Sequence, residues 1–112
     1  MSQANIEKRT NQDATIAAVT GVIDVTNAVA LKQAGESLLS SMDGPLVIDL
    51  SGIEHSGSVG VSVLLAWMRL ASAQGKEIQF LDMPDKMFDV ARVSGLDEVF
   101  PLSTGASSAH TA

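Results

Sequence analysis

"LVIDLSGIEHSGSVGVSVLLAWMR" occupies Leu46 to Arg69, in the middle of the chain. An apolar run, Leu46-Val47-Ile48, enters a stretch with three glycines, Gly52, Gly57 and Gly60, and leaves as a long apolar segment. A short continuous apolar run is the pattern of a strand buried on both faces, which puts Val47 and Ile48 in a central strand. The segment from Ser58 to Ala73 reads as a helix that Gly75 ends. Strand, glycine-rich loop and helix together can cradle a phosphate or display a nucleophile. The loop "HSGSVG", His55 to Gly60, therefore has to be tested against each chemistry.

A phosphate loop needs Gly, four residues, Gly, then Lys and Ser or Thr. Gly52 and Gly57 have that spacing, but Ser58 and Val59 follow, so the phosphate-reaching lysine and the magnesium-holding hydroxyl are missing. A nucleophile elbow needs Gly-x-Ser-x-Gly. Ser56-Gly57-Ser58-Val59-Gly60 puts Ser58 in the serine position, with Ser56 where the first glycine belongs. A hydrolase of that kind also needs a histidine brought from elsewhere in the chain. His55 stands on the same loop and His110 in the tail, so the residues argue against a small serine hydrolase. Two distant histidines and no cysteine give no metal-ligand spacing. What the loop offers is a serine at a helix start. Ser56 or Ser58 can cap the helix there. Alternatively Ser58 is shown to a partner, where free N–H groups and the positive helix end favour a phosphate or a carboxylate.

The rest of the chain fits one domain with an aliphatic core. Of its 112 residues 46% are apolar, and the only aromatic rings are those of Trp67, Phe80, Phe88 and Phe100. The net charge of −6 comes with no basic cluster, which speaks against nucleic acid and anionic lipid surfaces as partners. The first residues, "MSQANIEKRTNQD", lack the apolar core of a signal peptide. The longest apolar stretch, Val59 to Ala73, is too short and too interrupted to span a bilayer.

"ATIAAVTG" (Ala14 to Gly21) reads as a strand, which "VIDV" (Val22 to Val25) continues or follows as a second strand after a turn at Gly21. Thr26 to Met42 reads as a helix with Thr26 as its cap and Val29, Leu31, Leu38 and Leu39 as its apolar positions. "KEIQFLD" (Lys76 to Asp82) is a further strand. "PDKMFDVARVSG" (Pro84 to Gly95) is a helix, and "LDEVFPL" (Leu96 to Leu102) closes the chain. In the helix after the loop, Val59, Val63, Ala66, Trp67 and Leu70 fall on one side. Val61, Leu64, Leu65 and Met68 fall roughly opposite. One side packs on the sheet. The other is buried by a neighbouring helix or forms part of an interface.

The segments in this order resemble the STAS family of sulfate-transporter and anti-sigma-factor-antagonist domains, from about Ala14 to Leu102. The resemblance lies in "TGVIDVTNA" (Thr20 to Ala28), "LVIDLSGI" (Leu46 to Ile53) and "VARVSGLDEVFPL" (Val90 to Leu102). In the antagonists the loop reads Asp-Ser-Ser/Thr-Gly-Leu, and a partner kinase phosphorylates the first serine. Gly57 to Val61 match it, with Ser58 at the phosphorylatable position and Gly57 in place of the aspartate. "LLAWMR" and "VSGLDEVFPL" look most like the MlaB-like branch, the small cytoplasmic subunits of phospholipid-transport ABC systems.

The resemblance implies an α/β STAS fold, a four- to five-stranded mixed sheet with helices mainly on one face. With the resemblance giving the domain over 13–102, the polar composition before and after it reads as an N-terminal segment over 1–12 and a disordered tail over 103–112. The implied function is a non-enzymatic subunit, without cofactor or metal, that binds and stabilises or regulates an ABC ATPase. The implied place is the cytoplasm, at the inner membrane only through the partner. The alternative is an antagonist of an anti-sigma factor, switched by a serine kinase at Ser58. Ser58 is the candidate recognition or phosphorylation site. His55, Ser56 and Gly57 before it, and Val61, Ser62 and Leu65 on the following helix, complete the expected partner surface.

Overall fold

A computed structural model of the chain describes residues 3–10 and 15–103. Its elements run β1 (Ala4–Thr10), β2 (Thr15–Val22), α1 (Ala28–Ser41), β3 (Leu46–His55), α2 (Gly57–Ala73), β4 (Ile78–Leu81), α3 (Asp85–Val93) and β5 (Leu102–Ser103). The five strands form one mixed sheet in the order β1-β2-β3-β4-β5. β1 is antiparallel to β2, and the other neighbours are parallel. A helix links each successive pair of parallel strands, and every step crosses the sheet in one direction. Crossovers of one hand then place all three helices on the same face.

β3 shows the result. Leu46, Ile48, Leu50 and Ile53 are buried against the helices, while Val47 is half-buried and Asp49 and Ser51 turn to the other face. The expectation of a strand buried on both faces is corrected here, because no helix covers the second face. Within the segment expected as polar over 1–12, the described residues join the sheet. Ala4–Thr10 is an edge strand registered on Gly21 through Thr15. Its alternation is masked in the sequence because Asn5, Glu7 and Arg9 occupy the uncovered side, and Lys8 and Thr10 are exposed as well. Gly21 is not a turn. It lies in β2 at φ +99, beside a register shift, with the Gln3 carbonyl where a Cβ would stand. β2 ends at Val22, so "VIDV" forms no second strand. The tail expected over 103–112 falls outside the described residues, except for Ser103 in β5.

The helices lock to one another around Trp67. Gly35 of α1 lies against the indole so closely that a Cβ there would overlap the ring. The indole Nε1 donates to the Lys32 carbonyl at 3.0 Å. Trp67, Phe80, Ile48, Leu50 and Leu64 are wholly buried, and Phe100 meets Phe80 edge-on with ring centres 5.8 Å apart. At the end of the sheet away from the loop, Lys76 Nζ donates to the Met42 carbonyl at 2.8 Å and to Leu39 at 3.2 Å. It thereby satisfies carbonyls at the C-terminus of α1.

α2 does not have two opposed apolar sides. Its buried residues Gly60, Val61, Val63, Leu64, Trp67 and Ala71 form one broad face. Packing against α1 and α3 on its flanks widens that face beyond what a sheet alone would cover. Burial by neighbouring helices is thus what the second apolar set serves. Ser58, Ser62, Arg69 and Ser72 make the exposed strip.

Candidate functional site

The loop is shorter than its glycines suggest. β3 continues through Gly52 to His55, and α2 begins at Gly57, leaving only Ser56 between them. Gly52 is inside the strand, packed on Thr20, so it cannot be the first glycine of a phosphate cradle. Gly60 lies in the first turn of α2, where the Ser56 side chain fills the space of a Cβ. Ser56 is tucked under the helix and 7% exposed. It holds the N-cap position, yet its hydroxyl makes no capping bond. Its carbonyl accepts from Gly60 N–H at 3.2 Å.

Gly57 is exposed, has φ +57, and has nothing within 4 Å of the place where a Cβ would stand. The left-handed conformation, and no crowding, is what favours glycine here. Ser58 follows as the second residue of α2 and is exposed. Ser62, one turn on, is exposed and donates to the Ser58 carbonyl at 3.4 Å. His55 is exposed, and its carbonyl accepts from Ile23 N–H at 2.8 Å, which ties the end of β3 to the chain leaving β2. Leu65 is half-buried. Of the expected partner surface, His55, Gly57, Ser58 and Ser62 therefore stand together outside and Leu65 at their margin. Val61, expected on the surface, is 4% exposed and belongs to the core, and Ser56 is likewise withdrawn. Among the described residues no hydrogen bond joins the Ser58 hydroxyl to His55, and no three His, Cys, Asp or Glu side chains cluster as a metal site.

A shallow hollow of about 420 Å³ lies beside the loop, between it and the turn that leads from β2 into α1. That turn is built by side chains. Asp24 accepts from Thr26 N–H at 2.9 Å, while Asn27 Oδ1 accepts from Asp24 N–H at 3.0 Å and its amide donates to the Val22 carbonyl at 2.8 Å. Asn27, and not Thr26, holds the N-cap position, but its side chain secures the turn and leaves the helix uncapped. The turn pushes Val25 outward, 82% exposed, and Val29 in the first turn of α1 is 64% exposed. The sequence reading counts Val29 among the apolar positions of the helix and puts Val25 in the strand "VIDV"; both are exposed instead. The available signal was an apolar side chain inside a polar turn, "DVTN". On the other side of the loop, Ile53, Met87 and Val90 floor a smaller hollow of about 240 Å³ rimmed by Glu54, His55 and Lys86.

Residues 6–103 match the family described as Mlab, STAS domain, and the chain belongs to that STAS family. Among solved structures it is similar to a chain of the Acinetobacter MlaFEDB complex in an ATP-bound conformation. That match has 30% identity over 86% of this chain and 98% of the other, with a TM-score of 0.71. It is also similar to an anti-sigma factor antagonist from Mycobacterium paratuberculosis, at 28% identity over 89% and 85% of the two chains and a TM-score of 0.72. Unphosphorylated SpoIIAA shares the fold at 14% identity over 89% of this chain and 87% of the other, with a TM-score of 0.66. Among the described residues no helix is long and apolar enough to cross a membrane.

Proposed function

We propose that this chain is a non-enzymatic STAS subunit of a phospholipid-transport ABC complex, where it binds the ATPase subunit and stabilises or regulates it. The supporting observation is the 30% identity to a chain of the MlaFEDB complex, extending over nearly all of that chain. The site agrees with a docking role. It has a bare glycine, an exposed serine at a helix start and the exposed Val25 beside a shallow hollow, and among the described residues no base is hydrogen-bonded to the Ser58 hydroxyl. The binding takes place on the cytoplasmic side of the membrane, reached through the partner. The test is co-purification of the chain with the ATPase subunit of the transport system, alongside thermal melts of the ATPase with and without it. Association with a raised melting temperature is expected. Failure to associate in either purified or co-expressed form overturns the reading.

One observation favours a second reading. Ser58 presents its hydroxyl to solvent at the position where the antagonists are phosphorylated, in a chain 28% identical to such an antagonist. On that reading a serine kinase modifies Ser58 and so releases an anti-sigma factor. Incorporation of phosphate that is lost in Ser58→Ala would move the assignment to this branch.

A further inference from the structure

We propose that the partner surface extends beyond the Ser58 loop onto the turn between β2 and α1. Val25 and Val29 there form its apolar half, and the partner element that docks on it is a helix or loop carrying an aliphatic side chain next to an arginine or lysine. The proposal rests on the partner-binding reading above. Val25 and Val29 are two of the four large hydrophobic side chains most exposed among the described residues. They are four positions apart along the chain, Val25 in the turn that the Asp24 carbonyl closes by accepting from Ala28 N–H at 2.9 Å, and Val29 in the first turn of α1. Val25 lines the hollow beside the Ser58 loop, and Val29 is exposed next along the chain. An exposed pair of β-branched side chains adds nothing to the core.

The turn that holds them out is tied by hydrogen bonds. Asp24 and Asn27 brace it with their side chains, and Ile23 N–H bonds the His55 carbonyl, so the valines and the Ser58 loop are held in one frame. Between them lies the hollow lined by Val22, Ile23, Val25, Gly57 and Val59. Its lining contains no lysine or arginine. Asp24 stands at its edge, and Glu54 is exposed in the adjoining basin beside Val22 and Asn27. An apolar floor with a carboxylate rim selects an aliphatic anchor flanked by positive charge. Apolar centres supply most of an interface's affinity, and rim charges steer the encounter.

The experiment measures binding kinetics of the purified chain to the ATPase subunit of its transport system at low and high salt. Three variants are compared with wild type: the double variant Val25→Ser/Val29→Ser, Glu54→Lys and Ser58→Asp. All four positions are exposed, and circular dichroism and melting confirm their folding. The double variant Val25→Ser/Val29→Ser is expected to weaken binding by about tenfold or more, mainly through faster dissociation. Glu54→Lys is expected to slow association severalfold and to flatten its salt dependence. If Ser58→Asp weakens binding while the valine pair and Glu54→Lys leave it unchanged, the partner-binding reading stands and this extension is overturned. If wild type itself does not bind, the partner-binding reading falls and takes the extension with it.

Discussion

Gly35 and Gly57 are the same residue used for opposite reasons. Gly35 is buried in the middle of α1, and the Trp67 ring occupies the place of its missing side chain. Gly57 is exposed at the start of α2, with open space around it and a backbone that side chains disfavour. The first glycine lets two helices approach, and its replacement is felt by the core. The second lets a strand pass into a helix through a single linking residue and leaves the surface bare beside Ser58. Gly35 thus bears on the packing of α1 on α2, and Gly57 on the surface at the carboxyl end of the parallel strands, where the proposed recognition site lies.

The largest expected effect breaks the seam. Gly35→Val puts a branched side chain into a wholly buried indole, and the fold should lose about 3 kcal/mol or more, within the upper range for overpacking. Urea titration measures it. A loss below about 1 kcal/mol would mean that α1 and α2 slide apart without penalty and that Gly35 is no packing requirement. A double-mutant cycle sharpens the point. Gly35→Ala alone gains about 1 kcal/mol of helix propensity and loses more to the clash. After Trp67→Leu the clash is gone, so Gly35→Ala should become neutral or stabilising, with a coupling of about 2 kcal/mol. Additivity of the two changes would show that the ring is not what holds position 35 to glycine.

The seam was not legible in the sequence. Nothing local marks Gly35 as the partner of Trp67, because the contact joins residues on two helices separated by β3. What periodicity did show was the strand at Leu46, the long helix before Gly75 and the helix from Pro84, whose signals are local turn and cap residues. It failed where a tertiary neighbour decides burial. Val47 stays half-exposed for want of a second helical layer, and Val61 is buried because the neighbouring helices widen the covered face. The strand at Ala4–Thr10 escaped notice because its outward residues are charged, as suits an edge that should not pair with another chain. Of the candidate site, Gly57 and Ser58 were legible from the strand–glycine–helix order. Val25 was not, since its exposure depends on the hydrogen bonds by which Asp24 and Asn27 brace the turn.

At the other glycine the effect is smaller and of a different kind. Gly57→Ala meets no neighbour, so only the left-handed backbone opposes it, and the cost should be about 1 kcal/mol. Gly57→Asn should cost less than half of that, because asparagine tolerates this region. Equal losses for alanine and asparagine in thermal or urea melts would indicate a clash, and would erase the distinction from Gly35.

The smallest effect on the fold should accompany a large effect on binding, and it falls on Ser58. The residue is exposed at the second position of α2, whose first turn carries no acidic side chain and whose N-cap hydroxyl makes no capping bond. Ser58→Asp therefore puts a carboxylate where the helix end is positive and unanswered, which should stabilise the domain by about 0.3–1 kcal/mol. In an interface the same charge must shed its water. The free N–H groups that compensate it in the isolated domain are then enclosed, and the close contact across the bare Gly57 leaves no room for its water. Melting and ATPase binding of Ser58→Asp and Ser58→Ala, taken together, separate the two consequences. A domain as stable as wild type or slightly more so, with weakened binding only for aspartate, would show that the position acts through charge at a contact surface. Binding unchanged by aspartate would place Ser58 outside the contact and leave Val25 and Val29 as the surface to pursue. A loss of stability on adding the carboxylate would contradict the exposed, uncapped helix start on which both expectations rest.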